Sequence, residues 1–116
     1  MSDKMKIGRA GENLAAEFMQ RKGWQIVARN FRHGKAEIDL IAKKDDWLLF
    51  IEVKTRSSSD FGEPEAFVDE KKIAQLFYAA EEYIFTRDWK GHVRFDVISV
   101  KVGSGSEIVH FEDAIC

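Results

Sequence analysis

Apolar side chains recur at Ile7, Ala10, Leu14, Ala15, Phe18 and Met19. That spacing, close to the turn of about 3.6 residues, predicts a helix from about Ile7 to Lys22. Arg21 and Lys22 followed by Gly23 suit its C-terminus. Trp24–Ala28 reads as a strand, and Arg29–Lys35 as a polar turn region around Gly34. The strongest strand patterns are Ala36–Ala42 and Trp47–Thr55, joined by Lys43-Lys44-Asp45-Asp46. A second helix is predicted from about Asp69 to Arg87, with Asp69 as N-cap and Ile73, Leu76, Phe77, Ala80, Tyr83 and Ile84 as its buried stripe. His92–Lys101 and Glu107–Phe111 read as two further strands, separated by a turn at Gly103–Ser106. The order α-β-β-β-α-β-β predicts an α/β domain with a mixed sheet and helices packed on it.

The central hairpin carries the chemistry. With Asp45-Asp46 as its turn, Lys44 opposes Trp47, Ile41 opposes Phe50, Asp39 opposes Glu52, and Glu37 opposes Lys54. Side chains alternate along a strand. Glu37, Asp39 and Ile41 therefore share a face with Leu48, Phe50, Glu52, Lys54 and Arg56, and a slip of one residue would move one of these sets to the other face. Ile38, Leu40, Ala42, Leu49, Ile51 and Val53 form the opposite, wholly apolar face. Because the charged face is itself apolar toward the hairpin tip, a covering layer is expected on both sides, with the carboxylates at its edge.

Composition narrows the field. The 116 residues suffice for one domain, and 45 % apolar against 33 % charged is an ordinary globular mixture. Cys116, the one cysteine, excludes an internal disulfide framework. Uncharged runs such as Ile73–Ala80 and Trp47–Ile51 fall far short of a bilayer span of roughly 20 residues. The N-terminal segment has no apolar core of a secretory signal, so a cytoplasmic protein with no membrane partner is expected. The net charge of −2 argues mildly against nonspecific wrapping of DNA. It is unevenly spread: residues 1–35 hold eight Lys and Arg against three Asp and Glu, and residues 36–116 hold ten against seventeen. A basic rim beside an acidic site and a pair of solvated faces both fit this split.

Two readings of the hairpin charges stay open on spacing alone. Clustered carboxylates repel, and one takes up a proton unless a cation is present. Directly opposed residues have Cβ atoms about 4.5–5.5 Å apart. That lets Asp39 and Glu52 share one ion at the oxygen distances of about 2.0–2.1 Å that magnesium requires. The other reading is a half-exposed hairpin in which Glu37 and Lys54 form a surface ion pair worth at most about 1 kcal/mol. The three histidines form no ligand cluster along the chain, and Trp24, Trp47 and Trp89 read as core or edge aromatics.

Asp39, followed on the next strand by Glu52-Val53-Lys54, resembles the core motif of the PD-(D/E)xK nuclease superfamily, whose fold is restriction-endonuclease-like. More narrowly, the chain resembles the YraN-like family of small bacterial proteins, related to archaeal Holliday-junction resolvases. The resemblance is carried by Gly11-Glu12 with Ala15, Arg29-Asn30-Phe31, Glu37-Ile38-Asp39-Leu40-Ile41-Ala42 and Phe50-Ile51-Glu52-Val53-Lys54-Thr55-Arg56. It continues through Phe61-Gly62, Lys72 with Ala79-Ala80, and Arg94-Phe95-Asp96-Val97, covering about residues 8–100. Two positions depart from the family pattern: Ala36 stands where glycine is common, and Gln75 where many relatives have a basic residue. Gln75 removes a phosphate contact.

The resemblance implies a restriction-endonuclease-like mixed sheet flanked by two helices, and a Mg²⁺- or Mn²⁺-dependent phosphodiester hydrolase acting on structured or branched DNA. Asp39 and Glu52 would hold the metal, with Glu12 as an outer ligand. Lys54 would orient the attacking water and stabilise charge. A carboxylate near a helix N-terminus is also favoured by the macrodipole, so Glu12 has a purely structural reading as well. Gly8 and Gly11 permit close backbone approach beside it. Glu37 would be a supporting partner of Lys54 or Arg56, and Asp96 would pair with Arg29 or Arg56. Arg9, Arg29, Arg32 and Lys35 are candidates for phosphate contact. Lys72 is a candidate for contact with a phosphate or the attacking water. A homodimer is implied by the two-fold symmetry of a DNA junction. The alternative is a non-catalytic nucleic-acid-binding or partner-docking protein on a nuclease scaffold, since a fold does not establish a function. An RNA-directed nuclease is compatible with the same residues.

Overall fold

The computed structural model describes residues 3–57, 67–103 and 105–115. The expected loop after Ser57, including Phe61-Gly62 and Pro64, and the terminal Cys116 lie outside the described residues. The elements are α1 (Asp3–Arg21), β1 (Gln25–His33), β2 (Ala36–Lys44), β3 (Trp47–Ser57), α2 (Glu70–Thr86), β4 (His92–Val102) and β5 (Glu107–Phe111). Their order is the one the hydrophobic pattern predicts.

The five strands form one sheet in the order β1-β2-β3-β4-β5. Neighbours run antiparallel except β3 and β4, which are parallel because α2 carries the chain between them. The two apolar faces have different covers. Ala15, Ala16 and Met19 of α1 pack on Leu40, Ala42, Leu49, Ile51, Ile98 and Val100. Leu76, Ala79, Ala80 and Tyr83 of α2 pack on Ile38, Ile41, Leu48, Phe50 and Val97. Each fully buried Leu, Ile, Val, Phe or Met side chain in these layers contributes about 1.5–3 kcal/mol over its exposed state. Among the described residues, no helix is long and apolar enough to cross a membrane.

Asp69 caps α2 as expected, its carboxylate accepting the Lys72 amide at 2.8 Å. Within the predicted stripe of α2, Phe77 is a correction. It remains 38 % exposed and sets its ring edgewise against Phe95, while Ala79 takes the fully buried position. The Arg29–Lys35 segment is a second correction, since β1 continues through it to His33 and only Gly34 and Lys35 turn. Its alternation was unreadable because β1 is irregular twice, at a bulge near Val27 and at Asn30.

Candidate functional site

A shared break in the pleat of β1 and β2 builds the site. β3 keeps the alternation of a regular strand. Leu49, Ile51 and Val53 join the α1 layer, and Leu48 and Phe50 join the α2 layer. β2 does not. Leu40 and Ala42 face α1, but Ile38 packs with Ile41 on the α2 side, so the phase slips at Asp39. This corrects the expectation of one wholly apolar face containing Ile38. β1 slips at the facing position. Ala28 and Phe31 pack on the α2 side, while the two residues between them both reach α1. Arg29 Nη2 donates to Asn13 Oδ1 at 2.7 Å, and Asn30 Nδ2 donates to Glu12 Oε1 at 2.9 Å. The ladder passes from Arg29↔Leu40 to Phe31↔Ile38 around the slip. Asn30 takes φ +52°, a left-handed conformation that asparagine tolerates better than most residues.

At the same level β2 and β3 part. Their ladder runs from Lys44↔Trp47 to Leu40↔Ile51 in the predicted register. Asp39, Glu52, Glu37 and Lys54 lie beyond its last pair. There Asp39 Oδ2 accepts the backbone N–H of Val53 at 2.7 Å, standing in for a ladder carbonyl. The Asp39 carboxyl is also within hydrogen-bonding reach of the Glu52 side chain. A cavity of about 540 Å³ opens beside it, lined by Gly8 and Glu12 of α1, Asp39 of β2, and Val53, Thr55 and Arg56 of β3. α1 comes this close because residue 11 has no side chain: a Cβ on Gly11 would overlap the side chain of Thr55. Gly8 instead faces open space, and no atom lies within 4 Å of where its Cβ would stand.

The electrostatics follow from this crowding. Burial, then the hydrogen bond and the charge of Glu52, push the Asp39 carboxyl up to about 8, against the opposing pull of the Val53 N–H and Lys72. Burial also raises Glu12, helped by the charges of Asp39 and Glu37 and opposed by Asn30 and Arg29. Lys72 Nζ of α2 stands 3.6 Å from Glu52 Oε2, a carboxylate only 12 % exposed. Lys54, two residues after Glu52 on β3, carries its ammonium 5.7 Å from the centre of the Phe67 ring.

The sequence-predicted residues thus divide. Glu12, Asp39 and Arg56 line the cavity, Glu52 joins the site through its contact with Asp39, Lys72 pairs with Glu52, and Lys54 follows on the same strand. Glu37 forms its ion pair with Arg32 across the β1–β2 ladder at 3.1 Å, rather than the expected one with Lys54 or Arg56. Arg29 lies 3.8 Å from Glu12 Oε1, as an internal partner of the acidic residue. Arg9 and Lys35 are exposed. Asp96 is a correction. It is fully buried but takes neither Arg29 nor Arg56; it accepts from Arg94 at 2.9 Å, from His110 Nε2 at 2.7 Å and from the Asp113 amide at 2.9 Å. His110 was not singled out by sequence, although its inward position in β5, opposite Ile98, was a readable signal.

Among the described residues, no group of three or more His, Cys, Asp or Glu side chains is gathered closely enough to enclose an ion. Asp39 and Glu52 are a pair, with Glu12 across the cavity. Two carboxylates are the usual protein share of a magnesium site, the remaining ligands being water and substrate oxygens. An all-oxygen donor set suits magnesium or manganese better than zinc.

Residues 11–100, spanning both the pleat slip and the hairpin, match the model of an uncharacterised protein family, UPF0102. The chain belongs to the UPF0102 family. A UPF0102 protein of Flavobacterium psychrophilum is 46 % identical over 98 % of this chain and 97 % of its own length. Another from Cytophaga hutchinsonii is 44 % identical over 96 % of each chain. A third, from Rhodococcus opacus, is 38 % identical over 98 % of this chain and 99 % of its own. The YraN-like resemblance drawn from the motifs is to this family. The matched span begins at Gly11, so the UPF0102 region covers every candidate carboxylate of the site.

Proposed function

We propose that this protein is a Mg²⁺- or Mn²⁺-dependent nuclease of the PD-(D/E)xK type that hydrolyses phosphodiester bonds of structured or branched DNA in the cytoplasm, working as a homodimer. The observation that carries the reading is the convergence of the Asp39 and Glu52 carboxyls at the mouth of the β2–β3 fork, beside an open cavity. Two apposed, partly buried carboxylates cost stability unless a proton or a cation sits between them.

When bound, the metal would polarise the scissile phosphate and activate water. Asp39 and Glu52 would hold it. The Val53 N–H fixes the Asp39 carboxylate and leaves its other oxygen for coordination. Glu12 would orient a water from the α1 side. Lys54 would hold the attacking water and meet charge on the phosphoryl oxygens. Lys72 neutralises Glu52 at 3.6 Å and is near enough to reach a bound phosphate. Arg9 and Lys35 are exposed cations for backbone phosphates of the flanking duplex.

The test is cleavage of four-way, nicked and single-stranded DNA, and of RNA, by purified protein with Mg²⁺, Mn²⁺ or chelator. Metal-dependent cleavage lost in Asp39→Ala and Glu52→Ala is the expected result. If the wild type cuts none of these while binding DNA in a salt-dependent way that survives Asp39→Ala, the protein is a binding module on a nuclease scaffold.

A further inference from the structure

We propose that Asn30 is a positioning residue that holds Glu12 against the Asp39–Glu52 pair, which adds a role to the nuclease reading and rests on it. Three observations meet at this residue. Its side-chain amide donates to Glu12 Oε1 at 2.9 Å. Its backbone is left-handed, with φ +52°. It lies between the ladder pairs Arg29↔Leu40 and Phe31↔Ile38, in the interval that Asp39 occupies on β2, where β2 also loses its phase.

The two slips act as one device. A regular β1 would aim residue 30 away from residue 29, toward α2. The left-handed turn of the backbone at Asn30 directs both Arg29 and Asn30 to α1. There Arg29 Nε approaches the same Glu12 oxygen at 3.8 Å, itself braced by Asn13. Among the described residues, both contacts fall on Oε1, and Glu12 lines the cavity opposite Asp39. Glu12 belongs to a helix and Asp39 to a strand, and no covalent or ladder contact sets their separation. Asn30, bonded to Glu12 and seated on β1 in the ladder interval that holds Asp39 on β2, ties the two elements together there. Partners of this kind orient the residues that touch a metal, and their loss typically weakens affinity or activity about 10- to 100-fold.

The test separates backbone from side chain. Asn30→Gly keeps the left-handed conformation without steric strain and removes the amide. Asn30→Asp also tolerates that conformation but replaces the donor with an acceptor. Both are compared with wild type by NMR on protein labelled with ¹³C at the Asp and Glu carboxyl carbons, titrated with Mn²⁺. In wild type, the Asp39, Glu52 and Glu12 signals broaden together. In Asn30→Gly the fold is retained and Asp39 and Glu52 still broaden, but Glu12 does not, and Mn²⁺ binds about tenfold more weakly. With DNA, kcat falls while KM is unchanged, and Asn30→Asp is at least as impaired. If Glu12 broadens equally in wild type and Asn30→Gly, or does not broaden in wild type although Asp39 and Glu52 do, the inference fails and the nuclease reading stands. If Mn²⁺ broadens neither Asp39 nor Glu52 in wild type, both fail together.

Discussion

Asp39, one residue past the last paired position of β2, accepts through Oδ2 the N–H of Val53, two residues past that of β3, at 2.7 Å, so a side chain closes the ladder where the backbones diverge. The same carboxyl is pressed against Glu52 and is raised from 3.8 to about 8 by burial and by that neighbour. Between those two values the folded protein holds a proton that the unfolded chain has released, so metal-free stability falls as pH rises through this window. Asp39→Asn keeps an acceptor for Val53 and cannot ionise. In chelator, urea denaturation at steps across this range should show wild type losing stability toward pH 8 relative to Asp39→Asn, while the variant loses all cleavage. Parallel pH profiles would contradict the assignment.

Gly11 and Thr55 set the distance between α1 and β3. A methyl group at position 11 would overlap the Thr55 side chain, and overpacking of this sort costs about 1–3 kcal/mol. Gly11→Ala should be destabilised by that amount in chemical denaturation. Thr55→Ala in the same chain should recover part of it, since it removes Oγ1 and Cγ2 but leaves a Cβ 2.8 Å away, giving a coupling energy in a double-mutant cycle above the few tenths expected of independent sites. Equal losses with and without Thr55 would mean that the helix is held off by something else.

Asp96 runs opposite to Asp39 in pH. Burial alone would raise it, but hydrogen bonds from His110, Arg94 and the Asp113 amide outweigh burial and hold it below 3.8. A depressed carboxyl contributes stability that is present above its unfolded value and is lost as pH falls through its folded one. Wild type should therefore lose stability below about pH 4 more steeply than Asp96→Asn. Asp96→Ala, which leaves a buried His110 and a part-buried Arg94 without their shared acceptor, should cost up to about 3–5 kcal/mol. Thermal and urea unfolding against pH read both effects. The structural role of Asp96 predicts that metal affinity is unchanged in Asp96→Asn.

How much of this was legible in the chain depends on whether the signal was periodic. The β2–β3 register was readable because Leu48–Ile51 and Leu40–Ala42 are apolar blocks with a charged tip, and any other pairing would expose one of them. Asp39, Glu52 and Lys54 could be chosen from that register. β1 was cut short at Ala28 because period-two reasoning has no means of sensing a left-handed residue inside a strand, and Ile38 was misplaced because β2 changes phase at Asp39, which alternation alone does not signal. Asn30 is a permissive residue type for that conformation but not a requirement for it. The partners of Glu37 and Asp96 were missed because ion pairing is decided by neighbours across the sheet. Arg32 sits directly opposite Glu37, and His110 arrives beside Asp96 only once β5 has folded back on β4.

Lys72 offers the sharpest separation of binding from chemistry. Its ammonium lies 3.6 Å from Glu52 Oε2 and is about one-third exposed, so it competes with a divalent ion for that carboxylate through partly screened charge. A part-exposed pair is worth up to about 1 kcal/mol, or roughly fivefold in an equilibrium constant. Lys72→Met should therefore bind Mn²⁺ about two- to fivefold more tightly by calorimetry, since one positive charge has left the site. Cleavage should nevertheless fall, because the same ammonium is the α2 cation nearest to where a phosphate would enter beside Glu52. Tighter metal binding together with slower turnover is a combination that simple damage to the fold does not produce. Unchanged affinity would show that Lys72 and the ion do not share Glu52, and unchanged turnover would remove Lys72 from contact with the substrate.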